Sequence, residues 1–355
     1  MKTHDRTKYV KLLPNVYEMT KSKLIFGNEC VSFHSNMNEM ERCLVSQTSL
    51  LPSVKTEYEE INTKCIGSLY AMRQGHLIKT NDIADVNMIS VNDERYIPGA
   101  DNATYYDDDV RIQIMHHPYV GMTHCCRAQN IYTSISGSEV GLIMLARKAL
   151  KQLIVNHNKK LGMFSLHTAA VSRADKIALI LGGSHASKTT IFMNLSLNGY
   201  TPLNDDFIFI GHSGSAIEIK NYRILPSVRK DSLRFINNIE RFMIGDSTNG
   251  FQGEFYVDVW EKSISYDYLK DKTISVIFLP EYGHNVLKIY EADKVLSQKK
   301  VLKSLSGFQE LSANTGLLNL MRYLLSIPVY EVKLTENMEE FVDMFSNFTE
   351  CKGYL

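Results

Sequence analysis

The sequence predicts an α/β fold preceded by a smaller domain, and three observations support this prediction. Residues 1–137 contain short apolar stretches separated by polar turn clusters, as in small β-rich or α+β domains. At Ser138 the apolar residues change to helical spacing. From there to the C terminus, apolar strands alternate with amphipathic helices, which is typical of an α/β core. We therefore expect one domain over residues 1–137 and a second over residues 138–355.

The predicted elements of the N-terminal domain are short strands. They lie at residues 24–26, 30–33, 66–70, 76–78, 110–115 and 128–134. A helix is predicted directly after Ser138, whose hydroxyl suits the N-cap position. Apolar residues from Val140 to Ile154 form one broad face at helical spacing. The helix is expected to end at Lys159, Lys160 and Gly162.

The second domain alternates between strands and helices. Strands at residues 163–171 and 176–181 flank a turn at 172–175, and a glycine-containing loop then leads into a helix at 188–197. Asn198 and Gly199 close that helix. Further strands are predicted at residues 207–210, 216–219, 273–279, 286–290 and 329–334, and further helices at 297–305, 314–325 and 338–345.

The composition is that of a folded, soluble protein. Of the 355 residues, 44% are hydrophobic and 22% are charged, which are ordinary globular values. The 39 basic and 39 acidic residues give zero net charge, which argues against a protein that wraps nucleic acid, because phosphate neutralisation needs excess Lys and Arg. No run approaches the roughly 20 apolar residues of a membrane span. Six cysteines without a Cys-x-x-Cys pair, and no apolar signal stretch at the start, predict a cytoplasmic protein with reduced thiols.

Residues 182–189 read Gly-Gly-Ser-His-Ala-Ser-Lys-Thr and match the phosphate-binding pattern G-x-x-x-x-G-K-[ST] at three of its four fixed positions. In such a loop, backbone N–H groups converge on phosphate oxygens at a helix N terminus. Lys188 and Thr189 supply the lysine for the outer phosphates and the hydroxyl for Mg²⁺, while Ser187 replaces the second glycine. A strand–turn–helix corner without a ligand is the alternative. The apolar strand before the loop and the helix after it favour a phosphate loop.

Two further features, an acidic pair and a histidine, could take part in catalysis if the loop binds phosphate. Asp205 and Asp206 precede a predicted strand, where an adjacent acidic pair is commonly a solvated turn. Near a polyphosphate, one carboxylate can hold Mg²⁺ and the other can accept a proton from an attacking hydroxyl. His167 lies in an otherwise apolar strand, where a lone histidine is commonly a core residue.

Together these residues resemble the HPr kinase/phosphorylase superfamily, in particular its HPr-kinase-like members outside the sugar-regulatory branch. The family order is a histidine in a small-residue strand, a tight turn, a strand, a G-x-S-x-x-G-K-[ST] loop, a helix and a G-[HY]-x-L-[LV]-x-D-D segment. His167 lies 15 residues before Gly182, and Lys188 lies 17 before Asp205, spacings that look like those of the family. The resemblance is specific over residues 160–211, although Pro202 and Ser187 depart from the family pattern.

The resemblance implies an HPr-kinase-like P-loop core, with a mixed sheet and flanking helices, that uses ATP and Mg²⁺. The implied nucleotide-binding residues are Gly182, Gly183, Ser184, His185, Ala186, Ser187, Lys188, Thr189 and Thr190. Lys188 would neutralise the β/γ charge, and Thr189 and Asp206 would ligate Mg²⁺. Asp205 would be the general base, and His167 would lie beside the transferred phosphoryl group.

Phosphoryl transfer usually needs a second cation at the transition state. Arg229 is the candidate, with Arg234 as the second choice, and a surface charge is the alternative for either. His116, His117 and His124 with Cys125 and Cys126 suggest zinc, but neighbouring cysteines do not easily share one tetrahedral site and no second cluster completes it. We expect no metal there.

The leading hypothesis is a kinase that phosphorylates a hydroxyl, and the expected acceptor is a serine at an accessible chain end of a small peptide or protein. Its implied relatives are stand-alone kinases that tailor ribosomally made peptides, such as lasso-peptide precursor kinases. A kinase of free serine or another small metabolite is the first alternative, and a nucleotide-binding regulatory module without catalysis, motivated by Ser187, is the second. The segment after the acidic pair lacks the glycines of bifunctional members, so neither phosphorylase activity nor HPr as substrate is expected. Residues 1–137 and 245–253 are expected to recognise the acceptor, and related kinases are often homo-oligomers.

Overall fold

The structure, a computed structural model, divides the chain into two compact units, Met1–His157 and Asn158–Leu355. It describes residues 20–26, 29–35, 64–73, 88–89, 101–107, 110–116, 122–127, 131–136, 139–183, 186–213, 216–222, 226–244, 254–257, 259, 272–305 and 315–355. Among these residues, no helix has the length and apolar character needed to cross a membrane. Cys30, Cys65 and Cys351 carry free thiols.

The first unit contains an eight-stranded mixed sheet, in the order β1-β2-β3-β8-β7-β6-β5-β4. Its strands are β1 Thr20–Phe26, β2 Glu29–Ser35, β3 Lys64–Arg73, β4 Met88–Ile89, β5 Asp101–Asp107, β6 Val110–His116, β7 Met122–Arg127 and β8 Ile131–Ser136. Strand β3 runs parallel to both β2 and β8, and the other pairs are antiparallel. The sheet agrees with the β-rich N-terminal segment expected from the sequence. The predicted strand at 76–78 lies outside the described residues.

Helix α1, Glu139–Lys160, begins directly after Ser138, as predicted. The predicted domain boundary at residue 137 precedes this helix, whereas the two units divide near its end, between His157 and Asn158. A contact between helix and strand lies within the first unit. His157 Nε2 lies 3.1 Å from Glu29 Oε1 on β2, so α1 is attached to the first sheet.

The second unit is built around a six-stranded mixed sheet in the order β12-β10-β11-β18-β20-β19. Strands β11, β18 and β20 run parallel, and the remaining pairs are antiparallel. The strands of this unit are β9 Phe164–His167, β10 Ala169–Arg173, β11 Lys176–Ile180, β12 Thr201–Asn204, β13 Phe207–Ser213, β14 Ala216–Lys220, β15 Ser227–Arg229, β16 Met243–Ile244, β17 Glu254–Val257, β18 Thr273–Tyr282, β19 Lys288–Glu291 and β20 Val329–Leu334. The α-helices are α2 Lys188–Leu197, α3 Lys294–Lys303, α4 Thr315–Ser326 and α5 Met338–Lys352.

Both faces of the sheet are buried at its centre, because side chains alternate along each strand and both sets are apolar on β11 and β18. On β11, Ala178 and Ile180 join one core, while Ile177 and Leu179 join the other. The first core contains residues of α2 and α5. The second contains residues of α3, α4 and a small sheet, β14-β13-β9. The predicted α/β class with a mixed sheet and flanking helices is confirmed.

The segment predicted as one strand at 163–171 is divided at Thr168. Strand β9 pairs with β13 in the small sheet, whereas β10 pairs with β11 and β12 in the main sheet. Thr168 is fully buried, and its Oγ1 contacts the carbonyl oxygens of Ala169 and Ile180. The apolar alternation continues through the break, so the sequence pattern does not reveal the change of sheet.

A third small sheet, β15-β17-β16, was not predicted from the sequence. Its strands have three, two and four residues in chain order, too short for a periodic pattern to appear. Two short 3₁₀ helices, Lys230–Phe235 and Ile239–Phe242, follow β15. Val228 of β15 lies in the core that contains α2.

Candidate functional site

Three segments meet at one edge of the six-stranded sheet. Strand β10 is antiparallel to both β11 and β12, so β11 and β12 end at the same edge where β10 begins. Ala169 pairs with Ile180, and Ala170 pairs with Asn204. The turn after β9, the loop after β11 and the acidic turn after β12 are thereby brought together. Ligands of α/β sheets commonly bind at such carboxyl ends of strands.

The loop at 182–187 connects β11 to the N terminus of α2. At Gly182, an added Cβ would lie 2.6 Å from the Cβ of Ala186, so only glycine fits. Ser187 adopts the left-handed conformation, with φ 59° and ψ 20°, at the N-cap of α2. This conformation explains why the phosphate-loop pattern favours glycine at that position. Ser184 and His185 lie outside the described residues.

Lys188, the first residue of α2, folds back over this loop. Its Nζ donates hydrogen bonds to the carbonyl oxygens of Gly182 at 2.9 Å and Gly183 at 3.0 Å. The residue is only 9% exposed. Burial lowers the pKa of Lys188, and the nearby carboxylates of Asp206 and Asp205 oppose that shift. The ammonium is thus held between the loop and the acidic pair.

A side-chain hydrogen bond links α2 to the acidic turn. Thr189 Oγ1 donates to Asp205 Oδ2 at 3.3 Å. On the other side of the turn, His167 Nδ1 lies 2.9 Å from the carbonyl oxygen of Asp206 and 3.2 Å from its Oδ1. A carbonyl oxygen can only accept, so this contact requires a proton on Nδ1. The side chains of His167 and Asp206 are 49% and 34% exposed, which leaves both accessible to a ligand.

Asn204 positions the acidic pair and was not identified from the sequence as a site residue. Its side chain is fully buried. Oδ1 accepts from the backbone N–H groups of Asp206 at 2.9 Å and Phe207 at 3.3 Å. Nδ2 donates to Asn221 Oδ1 at 3.0 Å and to the carbonyl oxygen of Tyr222 at 2.6 Å. An asparagine before an acidic pair is a signal for such a side-chain-capped turn.

The His167 turn has two backbone partners. Thr168 N donates to the Asp206 carbonyl at 3.1 Å, and His167 N donates to the carbonyl of Ser304 at 2.9 Å. Ser304 directly follows α3, so the end of this helix lies beside the histidine. His167 is therefore not a core histidine. It is half exposed and hydrogen-bonded to the acidic turn.

Three further candidates from the sequence, Thr190, Arg229 and Arg234, lie on three different elements. Thr190 is buried within α2, and its carbonyl accepts from Asn194 Nδ2. Arg229 ends β15, where its register partner is Glu254. Arg234 lies 3.5 Å from Glu336 Oε1 and 4.5 Å from the ring centre of Phe235, so it takes part in a surface ion pair. Within the part of the chain that the structure describes, no group of three or more His, Cys, Asp or Glu could hold a metal ion.

Gly182→Ala is expected to destabilise the second unit by about 1–3 kcal/mol, because the new methyl group overpacks the loop against Ala186. The free energy of unfolding in urea measures this. Gly183→Ala is the matched control, since its added Cβ meets no described atom within 4 Å. The double variant Gly182→Ala/Ala186→Gly should recover most of the lost stability. Equal losses in both single variants would contradict the close approach seen at Gly182.

Ser187→Gly is expected to raise the free energy of unfolding by about 1 kcal/mol, since a left-handed residue with a Cβ is strained. Ala174→Gly is the control, because Ala174 has φ 52° in the turn between β10 and β11. Both variants should be stabilised, but only Ser187→Gly should raise affinity for a polyphosphate, measured with fluorescent mant-ATP. A fall in affinity for Ser187→Gly would show that the serine side chain contributes to binding.

The fold and the site define an α/β unit in which a strand–loop–helix corner, with a lysine and a threonine at its helix, faces an acidic turn. A scan of protein-family models and a search of curated proteins give no match to the chain.

Proposed function

We propose that the chain is an ATP- and Mg²⁺-dependent kinase of the HPr-kinase-like type that transfers the γ-phosphoryl group to a hydroxyl. The observation that supports this most directly is the hydrogen bond from Thr189 Oγ1 to Asp205 Oδ2. It joins the helix that begins at the loop to the acidic turn. Phosphoryl transfer depends on positioning and charge stabilisation, so a loop, a lysine and two carboxylates at one sheet edge form a suitable set.

The loop at 182–187 binds the nucleotide phosphates in this proposal. Its backbone N–H groups and the N terminus of α2 favour anionic oxygens. Lys188 then exchanges its two carbonyl acceptors for phosphate oxygens, which are stronger partners because they are charged. Burial of the lysine strengthens this interaction, since the competing water is reduced.

The donor set fits Mg²⁺, which prefers hard oxygen ligands and retains waters and phosphate oxygens in its shell. Thr189 and Asp206 are the proposed ligands, and both supply oxygen. Because phosphates complete such a shell, a site with few protein carboxylates is expected. Bound Mg²⁺ neutralises charge on the phosphate oxygens, as proposed also for Lys188.

Asp205 is the proposed general base. Its carboxylate takes the proton of the acceptor hydroxyl as the acceptor oxygen forms a bond to the γ-phosphorus. The bond between that phosphorus and the β–γ bridging oxygen breaks, and ADP leaves with the electron pair. Thr189 holds one oxygen of Asp205, so the carboxylate has a fixed orientation. His167, held by Asp206, is proposed to contact the transferred group, and Arg229 to supply the second cation.

The proposed acceptor is a serine of a small peptide or protein, with free serine or another small metabolite as the alternative. The test incubates the full chain with γ-labelled ATP, Mg²⁺ and either a serine-containing peptide library or free serine. Transfer of label to a peptide supports the first acceptor class, and transfer only to serine supports the second. Absence of mant-ATP binding would contradict both.

A nucleotide-binding module without catalysis is the second candidate function. Two observations favour it. Ser187 is left-handed in the loop, and Lys188 already donates hydrogen bonds to two carbonyl oxygens of that loop. Tight mant-ATP binding without label transfer to any acceptor, and without release of inorganic phosphate, would support this candidate. Turnover that requires Asp205 would exclude it.

A further inference from the structure

Helix α3 presents a surface that is both basic and partly apolar. Val295 and Leu296 are 74% and 58% exposed, unusual values for large aliphatic side chains. Lys299, Lys300 and Lys303 are exposed on the same side, because residues three and four positions apart are neighbours on a helix. We name these five residues the α3 stripe. The opposite side of the helix, with Ser297 and Val301, is buried.

The charge of this surface is not balanced within the helix. The sequence of α3 is KVLSQKKVLK, with four lysines and no acidic residue. Asp293, just before it, caps the helix by accepting from the backbone N–H of Leu296 at 2.9 Å. Lys300 lies 3.4 Å from Glu331, whose carboxylate also accepts from Tyr290 at 2.7 Å. Lys299 and Lys303 have no acidic neighbour on the helix itself.

The stripe leads to the candidate site. At the end of α3, the carbonyl of Ser304 accepts from the backbone N–H of His167 at 2.9 Å, and Leu305 forms a bridge with Leu166. His167 in turn contacts Asp206. The distance from Leu296 to Ser304 is about 12 Å at the helical rise per residue. An extended peptide covers this distance with about four residues.

We infer that the α3 stripe is the docking surface for the acceptor polypeptide, which carries an acidic segment with an apolar side chain at least four residues from the phosphorylated hydroxyl. This inference rests on the proposed function. An apolar side chain of the acceptor covers Val295 and Leu296 and removes them from water. Asp or Glu residues of the acceptor pair with the lysines, which speeds encounter and selects against basic partners. The surface thereby directs the acceptor to the acidic turn.

The test uses two fluorescein-labelled peptides that contain one serine and one leucine four residues apart. In the first peptide the intervening residues are glutamates, and in the second they are lysines. Fluorescence anisotropy should show saturable binding of the acidic peptide alone. Lys299→Glu/Lys303→Glu and Leu296→Asp should each lower its affinity about tenfold. Lys352→Glu, on α5 at the other face of the sheet, is the matched control and should leave it unchanged.

Anisotropy measures peptide binding and does not require catalysis. The docking inference and the proposed kinase function are therefore tested independently. Unchanged affinity in the double variant, or equal binding of the basic peptide, would overturn the docking inference and leave the kinase proposal intact. Binding of the wild type to phosphatidylserine vesicles that the acidic peptide cannot displace would also overturn it, because the stripe would then serve a membrane surface. Absence of mant-ATP binding by the wild type would overturn the proposed function, and with it the peptide's role as acceptor, but not the docking of the acidic peptide on the stripe. Mant-ATP affinity should be unchanged in the stripe variants.

Discussion

Asp205→Asn is expected to lower the turnover number for phosphoryl transfer by about 10²–10⁴-fold, the usual contribution of a general base. Asparagine keeps an oxygen that can accept from Thr189, so the turn should retain its geometry. It cannot take the proton of the acceptor hydroxyl at neutral pH. Single-turnover transfer from γ-labelled ATP measures the effect, and affinity for mant-ATP should change only a few-fold.

The matched control for this prediction is Asp175→Asn. Asp175 is an exposed carboxylate in the turn between β10 and β11, at the opposite edge of the sheet. This variant should keep wild-type turnover. If Asp205→Asn retains more than a tenth of the wild-type rate, Asp205 is not the base, and Asp206→Asn becomes the variant to measure.

Lys188→Met is expected to weaken mant-ATP binding by about 10- to 150-fold, because a hydrogen bond to a charged group contributes about 1.5–3 kcal/mol. Methionine has a similar length and suits the buried position, so the fold should persist. Lys176→Met is the control. Its Nζ also donates to a backbone carbonyl, that of Gly353 at 2.6 Å, but this hydrogen bond is solvent-exposed and lies at the other end of β11.

The pH dependence gives an independent check on Lys188. Burial lowers the pKa of its ammonium, and bound phosphate should raise it again, since an anion favours the charged form. Affinity for mant-ATP should therefore be fully present while the lysine is protonated, and be lost as the pH rises through this lowered pKa. The Lys188→Met variant should not show that loss. Equal pH profiles for both proteins would contradict the assigned role.

The elements with clear periodicity could be predicted from the sequence. Helix α2 and strand β20 have the predicted bounds, since an apolar helix closed by Asn198-Gly199 and an alternating strand each have local signals. The continuous apolar run at residues 177–181 also predicted strand β11, and the structure shows that both faces of this strand are buried. Strands β15 and β16 could not be predicted from the sequence, because two or three residues are too few to show a hydrophobic period.

Part of the candidate site could be predicted as well. The loop at 182–187 is contiguous in sequence, so its glycines, lysine and threonine form a recognisable pattern. The role of Asn204 was not recognised from the sequence. It depends on Asn221 and Tyr222, which reach it only when β12 and the segment after β14 lie together. The contact between α3 and His167 joins residues 137 positions apart, and no local signal encodes it.

The sequence by itself determined the α/β class, the strand–loop–helix corner and the chemical identity of its lysine, threonine and acidic pair. These follow from local spacing, which the chain carries whether folded or not. Only the tertiary structure decided that the chain changes sheets at Thr168, that Ser187 is left-handed, and that α3 ends beside His167. Such features arise from pairing and packing between segments that are distant in the sequence. The conformation of lowest free energy is then set by all contacts of the folded unit together.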